Sequence, residues 1–223
     1  MSGDDSGMPS IAPSRGGVRV ERLVTSGTFE LDGGSWEVDN NVWLVGDDTE
    51  VLVVDAAHDA GAILDAVGGR RVVAIVCTHA HNDHVNAVGE LVAATGATAH
   101  LHPDDRVLWD QTQPDLPGGE LSDGQVLTVG DVEATVLHTP GHAPGACCVH
   151  VPALGAVLSG DTLFKGGPGA TGRSYSDFPT IIESIRTRLL DLPPDTVVLT
   201  GHGDPTTIGA EAPHLEDWIA RGH

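Results

Sequence analysis

The sequence predicts an α/β domain in which mixed β-sheets are covered by helices. Apolar, β-branched runs recur along the 223 residues. Some are joined as hairpins and others alternate with helical patterns, and glycine is abundant at 29, as many short elements joined by tight turns require. No composition break or tandem repeat divides the chain. Residues 18–223 are therefore expected to form one domain, behind a leader over 1–17 that is rich in Gly, Ser, Pro and Asp and expected to be disordered.

The elements follow in order. "VRVERLV" (18–24), "NVWLV" (41–45) and "EVLVVD" (50–55) read as strands, the last two joined through the hairpin signal "GDDT". "DAGAILDAV" (59–67) has helical spacing, and "VVAIVC" (72–77) is a buried-strand run that ends on a histidine cluster. "HVNAVGELVAATG" (84–96) reads as one helix closed by Gly96, followed by the strand "ATAHLH" (97–102) and a short helix after Pro103. Residues 111–119 are irregular. "GQVLTVG" and "VEATVLHTP" form a hairpin, "ACCVHVP" and "GAVLSGD" a further strand pair. "DFPTIIESIRTRLLDL" is amphipathic, with Ile181, Ile185, Leu189 and Leu192 on one helical face. "TVVLTGH" is a last strand and "APHLEDWIARG" a last helix.

Charge and cysteine usage exclude several classes. With 11 Lys+Arg against 32 Asp+Glu, the net charge of −21 leaves no basic cluster for a phosphate backbone, so no nucleic-acid partner is expected. No apolar run approaches the ~18 residues a membrane span needs. The first residues lack an apolar secretory core, and the three cysteines give no disulfide framework, so a cytoplasmic location is expected.

The chemistry concentrates in "THAHNDH". His79, His81, Asp83 and His84 fall within six positions directly after an apolar strand. Three more such residues stand just after later strands, each beside glycine: His142 in "PGHAPG", Asp161 in "SGDTLF" and His202 in "TGHGD". Solvated loops would mix Lys, Glu, Ser and Asn; strand ends that deliver only His and Asp point to a metal cage. Residues i and i+2 point the same way in extended backbone, so His79 and His81 can share an ion with His142. Asp83 and His84 diverge where the next helix begins and suit a second ion with His202, while Asp161 can give one oxygen to each. Imidazole and carboxylate without thiolate favour two Zn²⁺, with Fe or Mn as alternatives.

These residues resemble the motifs of the metallo-beta-lactamase superfamily over residues 18–223. Asp161 followed by "TLF" is similar to the glyoxalase II (hydroxyacylglutathione hydrolase) branch. The resemblance implies an αββα sandwich of two mixed sheets flanked by helices. It also implies that Asp55, at the end of "VLVVD", orients the ligand loop without binding metal. Residues 164–186 depart from the glyoxalase II pattern, and no separate helical domain, which in that branch carries much of the glutathione site, follows the last helix. The chain also resembles actinobacterial mycothiol-thioester hydrolases. In the glycine-rich loop after Asp161, Lys165, Arg173 and Tyr175 are candidates for gripping an anionic substrate, set against solvated loop charges and, for Tyr175, simple packing.

The expected activity is hydrolysis of a small-molecule thioester, of glutathione or mycothiol type, by a metal-bridging hydroxide. A thiol of pKa about 8.5 leaves without a general acid, and none is evident. Alternatives on the same residues are an iron persulfide dioxygenase using His79, His142 and Asp161, a beta-lactamase, and a non-catalytic metal-binding protein.

Overall fold

The structure is a computed structural model that describes residues 9–116 and 118–222. Two long strands, β1 (Arg19–Leu31) and β2 (Gly34–Gly46), pair antiparallel through a two-residue turn. Asp32 and Gly33 form that turn with φ of 53° and 77°, the left-handed pair that matches strand twist in a tight hairpin. β3 (Glu50–Val54) continues antiparallel. Then β4 (Arg71–Val76), β5 (Ala99–Leu101) and β6 (Gly119–Glu120) add in parallel, giving the order β1-β2-β3-β4-β5-β6. Helices α1 (Ala60–Val67), α2 (Asn82–Val85), α3 (Val88–Thr95) and α4 (Arg106–Thr112) lie in the crossovers.

The second sheet holds β7 (Val126–Val129), β8 (Val132–His138), β9 (Cys147–Val151), β10 (Ala156–Gly160), β13 (Val197–Thr200) and β14 (Thr206–Thr207), in the order β14-β13-β10-β9-β8-β7. Its β10–β13 pair is parallel and the rest antiparallel. Between them runs a short ribbon of β11 (Leu163–Phe164) and β12 (Gly167–Pro168), followed by α5 (Phe178–Ser184). Helices α6 (Ile208–Glu211) and α7 (Leu215–Arg221) close the chain.

Strand alternation builds three cores. Trp43, Val45, Leu52 and Val54 face β8–β10 and β13 between the sheets, while their neighbours Val42, Leu44, Val51 and Val53 face Ile63, Leu91 and Trp109 of the first helical layer. Val157 and Val198 on the far side of the second sheet pack on Ile181, Ile185 and Trp218. The result is the αββα sandwich of two mixed sheets. Each fully buried Leu, Ile or Val contributes about 1.5–3 kcal/mol, so both faces of both sheets stabilise the layers.

Three expectations change. Of the expected leader, residues 1–8 lie outside the described residues. Beyond them Ile11 packs on the inter-sheet core and the Gly16 N–H donates to Asp131 at 2.7 Å, so the packed chain begins before Val18. The single helix expected over 84–96 is two, α2 and α3, broken at Asn86–Ala87. The helix expected over 177–192 widens after Ser184 into a π-helical segment, Ile185–Leu189, with Leu190 N–H donating to Ile185 O at 3.0 Å.

Candidate metal centre

All seven ligand candidates meet at one edge of the sandwich, because the strands that precede them end there. His79 and His81 follow β4, Asp83 and His84 lie in α2, His142 follows β8, Asp161 follows β10 and His202 follows β13. Each of the seven is nine-tenths or more buried except His202, whose side chain is a quarter exposed.

Hydrogen bonds fix which ring nitrogen faces inward. His79 Nδ1 lies 3.2 Å from Thr78 Oγ1, whose proton goes to Asp55, so the imidazole donates there. His84 Nδ1 donates to Asp55 Oδ2 at 3.0 Å, His142 Nδ1 to Ala170 O at 2.8 Å and His202 Nδ1 to Asp39 O at 2.8 Å. All four therefore turn Nε2 to the centre, free to ligate once the ring is neutral, the arrangement that outer hydrogen bonds impose on metal-ligating histidines. His81 differs: its Nδ1 sits 3.0 Å from His142 Nε2 and is the inward atom.

The inward atoms fall into two trios, His79–His81–His142 and Asp83–His84–His202, with Asp161 between them. Within the second, His84 Nε2 is 3.2 Å from His202 Nε2 and 3.5 Å from Asp83 Oδ2, and His202 Nε2 is 3.3 Å from Asp83 Oδ2. Asp161 Oδ1 lies 3.4 Å from His84 Nε2, and its Oδ2 lies 3.4 Å from His202 Nε2 and 3.6 Å from His142 Nε2. Two ligands bound to zinc at 2.0–2.2 Å in a tetrahedron stand about 3.3–3.6 Å apart, so these separations match ligand edges. Asp83 Oδ1, Asp161 Oδ1 and His79 Nε2 are buried without any hydrogen-bond partner, a costly state that a cation would relieve. The donor set thus fits two metal ions.

Electrostatics differ between the trios. Burial, with neighbouring imidazoles, holds His79 well below the usual histidine range and pushes His81 down to about 3; burial also lowers His142. These rings are neutral and ready to ligate. Burial would lower His84 and His202 too, but Asp161 and Asp83 outweigh it, holding His84 well above its usual range and His202 at about 10. Asp161 is held well below the carboxylate range: burial opposes ionisation, but His84 and His202 outweigh it. A cation would take the place of those protons.

Second contacts hold the ligand loops. Asp55 sits in left-handed backbone at φ 58° after β3, and its Oδ1 accepts from Thr78 N at 2.7 Å while Oδ2 accepts from Thr78 Oγ1 at 2.7 Å as well as from His84. Gly201 is required by space, since a Cβ there would stand 2.2 Å from Asp161 Oδ1. Asp105, which sequence reading missed, is fully buried and accepts from Ala80 N at 2.8 Å and from Gly145 N, tying the His79–His81 loop to the His142 loop. Burial raises its pKa to about 6 against those two N–H groups.

A cavity of about 260 Å³ opens onto the trios, walled by Phe29, Leu31, Trp36 and Val38 of the β1–β2 hairpin and by Ala170, Arg173, Ser174 and Ser176 of the loop after β12. Of the three substrate-binding candidates the structure brings only Arg173 here, its guanidinium 4.0 Å from the Trp36 ring centroid and 5.4 Å from that of Phe29. Lys165 is exposed and reaches Asp204 at 3.4 Å instead. Tyr175, at φ 69°, is exposed and does not line the cavity. Phe29, beside Trp36 in this wall, was also missed, although Asp32-Gly33 between alternating apolar residues is a hairpin signal.

Known proteins share these features. Residues 36–202 match the profile of the metallo-beta-lactamase superfamily. An uncharacterised protein of Aquifex aeolicus is 38% identical over 177 residues, covering 73% of this chain and 82% of that one. A hydroxyacylglutathione hydrolase of Rhodobacter capsulatus is 34% identical over 200 residues, covering 88% and 75%. Among solved structures, TTHA1623 in a di-iron-bound form superposes with a TM-score of 0.71 at 34% identity, over 78% of this chain and 93% of that one. With the strand-end His and Asp set, the αββα layers and a matched span of most of its length, the chain belongs to the metallo-beta-lactamase superfamily.

Proposed function

We propose that the chain is a two-metal hydrolase that cleaves thioesters of a small thiol carrier. The observation that carries this reading is the chemistry of the pocket wall. Among its described lining residues, the titratable groups are those facing the metal trios and Arg173, so no carboxyl, phenol or amine stands free to protonate a leaving group. Thiolate, of parent pKa about 8.5, departs near neutral pH without that proton, whereas an amide or lactam nitrogen needs it.

Metal ions held by His79, His81, His142 and by Asp83, His84, His202, with Asp161 shared, would polarise a carbonyl and acidify water. The chain's own groups do the rest. Phe29, Leu31, Trp36 and Val38 give the substrate an apolar surface and exclude water from the approach. Arg173, spread on Trp36, offers one cation at the mouth, and Ser174 and Ser176 line the pocket beside it. One cation in a chain of net charge −21 favours a carrier with few anionic groups.

Relatives named hydroxyacylglutathione hydrolase support the hydrolase class, and the di-iron neighbour widens the metal choice from zinc to iron. An iron dioxygenase would need only His79, His142 and Asp161; the second trio is assembled as closely, which favours two ions and hydrolysis. The test compares zinc-loaded protein on a thioester and on a lactam of similar size. Much faster thioester cleavage is expected. Failure to cleave thioesters, with O₂ consumed by iron-loaded protein and a persulfide, would replace the hydrolase by the dioxygenase.

A further inference from the structure

Asp83 is held from behind by a chain of side chains that leads away from the centre. Its Oδ2 accepts from Asn40 Nδ2 at 3.0 Å, and Asn40 is fully buried. With its amide spent on Asp83, Asn40 can only accept through Oδ1, which lies 2.8 Å from His58 Nε2. That nitrogen must carry a proton. His58 Nδ1 is then bare and accepts from Asn86 Nδ2 at 3.0 Å, while Asn86 Oδ1 accepts the His58 backbone N–H at 2.6 Å. Every donor meets an acceptor in one direction only, from Asn86 through His58 and Asn40 to Asp83.

The fold makes room for this chain. His58 occupies left-handed backbone at φ 60°, uncommon for a residue with a side chain. Opposite it in β1 stands Gly27, where a Cβ would lie 2.1 Å from His58 Nδ1, so any larger residue would displace the ring. Half-burial lowers the His58 pKa, in keeping with the neutral ring that the donor directions require.

We propose that His58 is a positioning residue: through Asn40 it fixes the rotation of the Asp83 carboxylate that serves the Asp83–His84–His202 trio. An asparagine amide can turn over. Turned, Asn40 would set its oxygen against the carboxylate and release Asp83 to rotate. The His58 N–H forbids that orientation because it would then meet an amide donor. The inference rests on the reading of that trio as a metal site, and it concerns the site's affinity, not the reaction run there.

The test is zinc affinity of the full chain, stripped of metal and titrated in competition with a chelator, with Asp83→Asn identifying the step that belongs to the second trio. His58→Gly removes the ring in a backbone conformation that glycine prefers. It should weaken the Asp83-dependent step roughly 10- to 100-fold and leave the other step unchanged. His58→Gln, which offers both a donor and an acceptor, should restore much of the loss. Adding His58→Gly to Asn40→Ala should cost nothing further. His58→Asn, at home in left-handed backbone but too short to reach Asn40, should repeat the loss and serves if the glycine variant does not fold. Equal weakening of both steps, no rescue by glutamine, or losses that add to those of Asn40→Ala would overturn the proposal. Two undisturbed steps in His58→Gly would overturn it alone; a parent chain that binds no zinc would overturn the site reading together with it.

Discussion

Exchanging Asp55 for Asn isolates one part of the account, the hold on the ligand loops. Asparagine adopts left-handed backbone as readily as aspartate, so the φ of 58° adds little cost. What changes is the acceptor count. The carboxylate takes Thr78 N, Thr78 Oγ1 and His84 Nδ1, all in the buried interior; the amide keeps one acceptor oxygen. With that oxygen in place of Oδ1, the new NH₂ faces Thr78 Oγ1 and His84 Nδ1. The hydroxyl can turn to accept. The imidazole can accept only by giving up its Nδ1 proton, which leaves the ring's proton on Nε2, the atom that faces Asp83, Asp161 and His202. The opposite rotation sets the NH₂ against the Thr78 N–H. A lost bond to a charged group is worth about 1.5–3 kcal/mol and an unsatisfied buried donor costs about 1–3, so a net destabilisation of about 2–4 kcal/mol is expected after partial rearrangement. The misplaced proton should also weaken the second metal step by roughly 10- to 100-fold. Urea denaturation of metal-free protein reads the first quantity and chelator competition the second. An unchanged midpoint with both metal steps intact would refute the reasoning.

Asp161→Ala removes the carboxylate shared by the two trios, and elemental analysis should then find about one ion per chain; a full complement of two would contradict the bridge. Arg173→Ala should raise KM for a complete thiol carrier and leave a truncated thioester little affected, whereas equal losses on both would place Arg173 outside the carrier site. Asp47, a partly buried turn residue, is held down to about 2 from an ordinary 3.8 by the Thr49 hydroxyl and the N–H groups of Thr49 and Glu50. Because its folded pKa lies below its unfolded value, its stabilisation is present above pH 4 and lost as pH falls towards 2. The stability gap between the parent chain and Asp47→Ala should narrow across that window in urea titrations, and a constant gap would show that the turn does not depend on the charge.

The ligand set was legible because four members crowd into six positions after an apolar strand and the other three, His142, Asp161 and His202, each follow a strand beside glycine, a local pattern that survives without knowledge of the fold. Mixed sheets followed from strands that hairpin and strands that cross over. The far half of the first hairpin was harder to see. Residues such as Ser26, Thr28, Glu30 and Ser35 project as a two-stranded ribbon whose pairing is set by the Asp32-Gly33 turn, so the strand "VRVERLV" ends at Val24 when read by apolar pattern alone. The break at Asn86 was hidden for a related reason: the spacing of Val85, Val88 and Leu91 continues through it, while the side chain that ends α2 is committed to His58. Asn40, His58 and Asp105 carry no local signature, since each acts on a residue distant in sequence. Lys165 and Arg173 read as one glycine-rich loop, but the β11–β12 ribbon divides it and leaves Lys165 in the turn, beside Asp204.

We propose that two metal ions together make this chain a thioester hydrolase. Metal-stripped protein titrated with zinc, with thioester cleavage followed at each addition, tests it most directly. Activity that rises to a plateau at two equivalents is the predicted result. A plateau at one equivalent, or two equivalents bound without thioester cleavage, would contradict it.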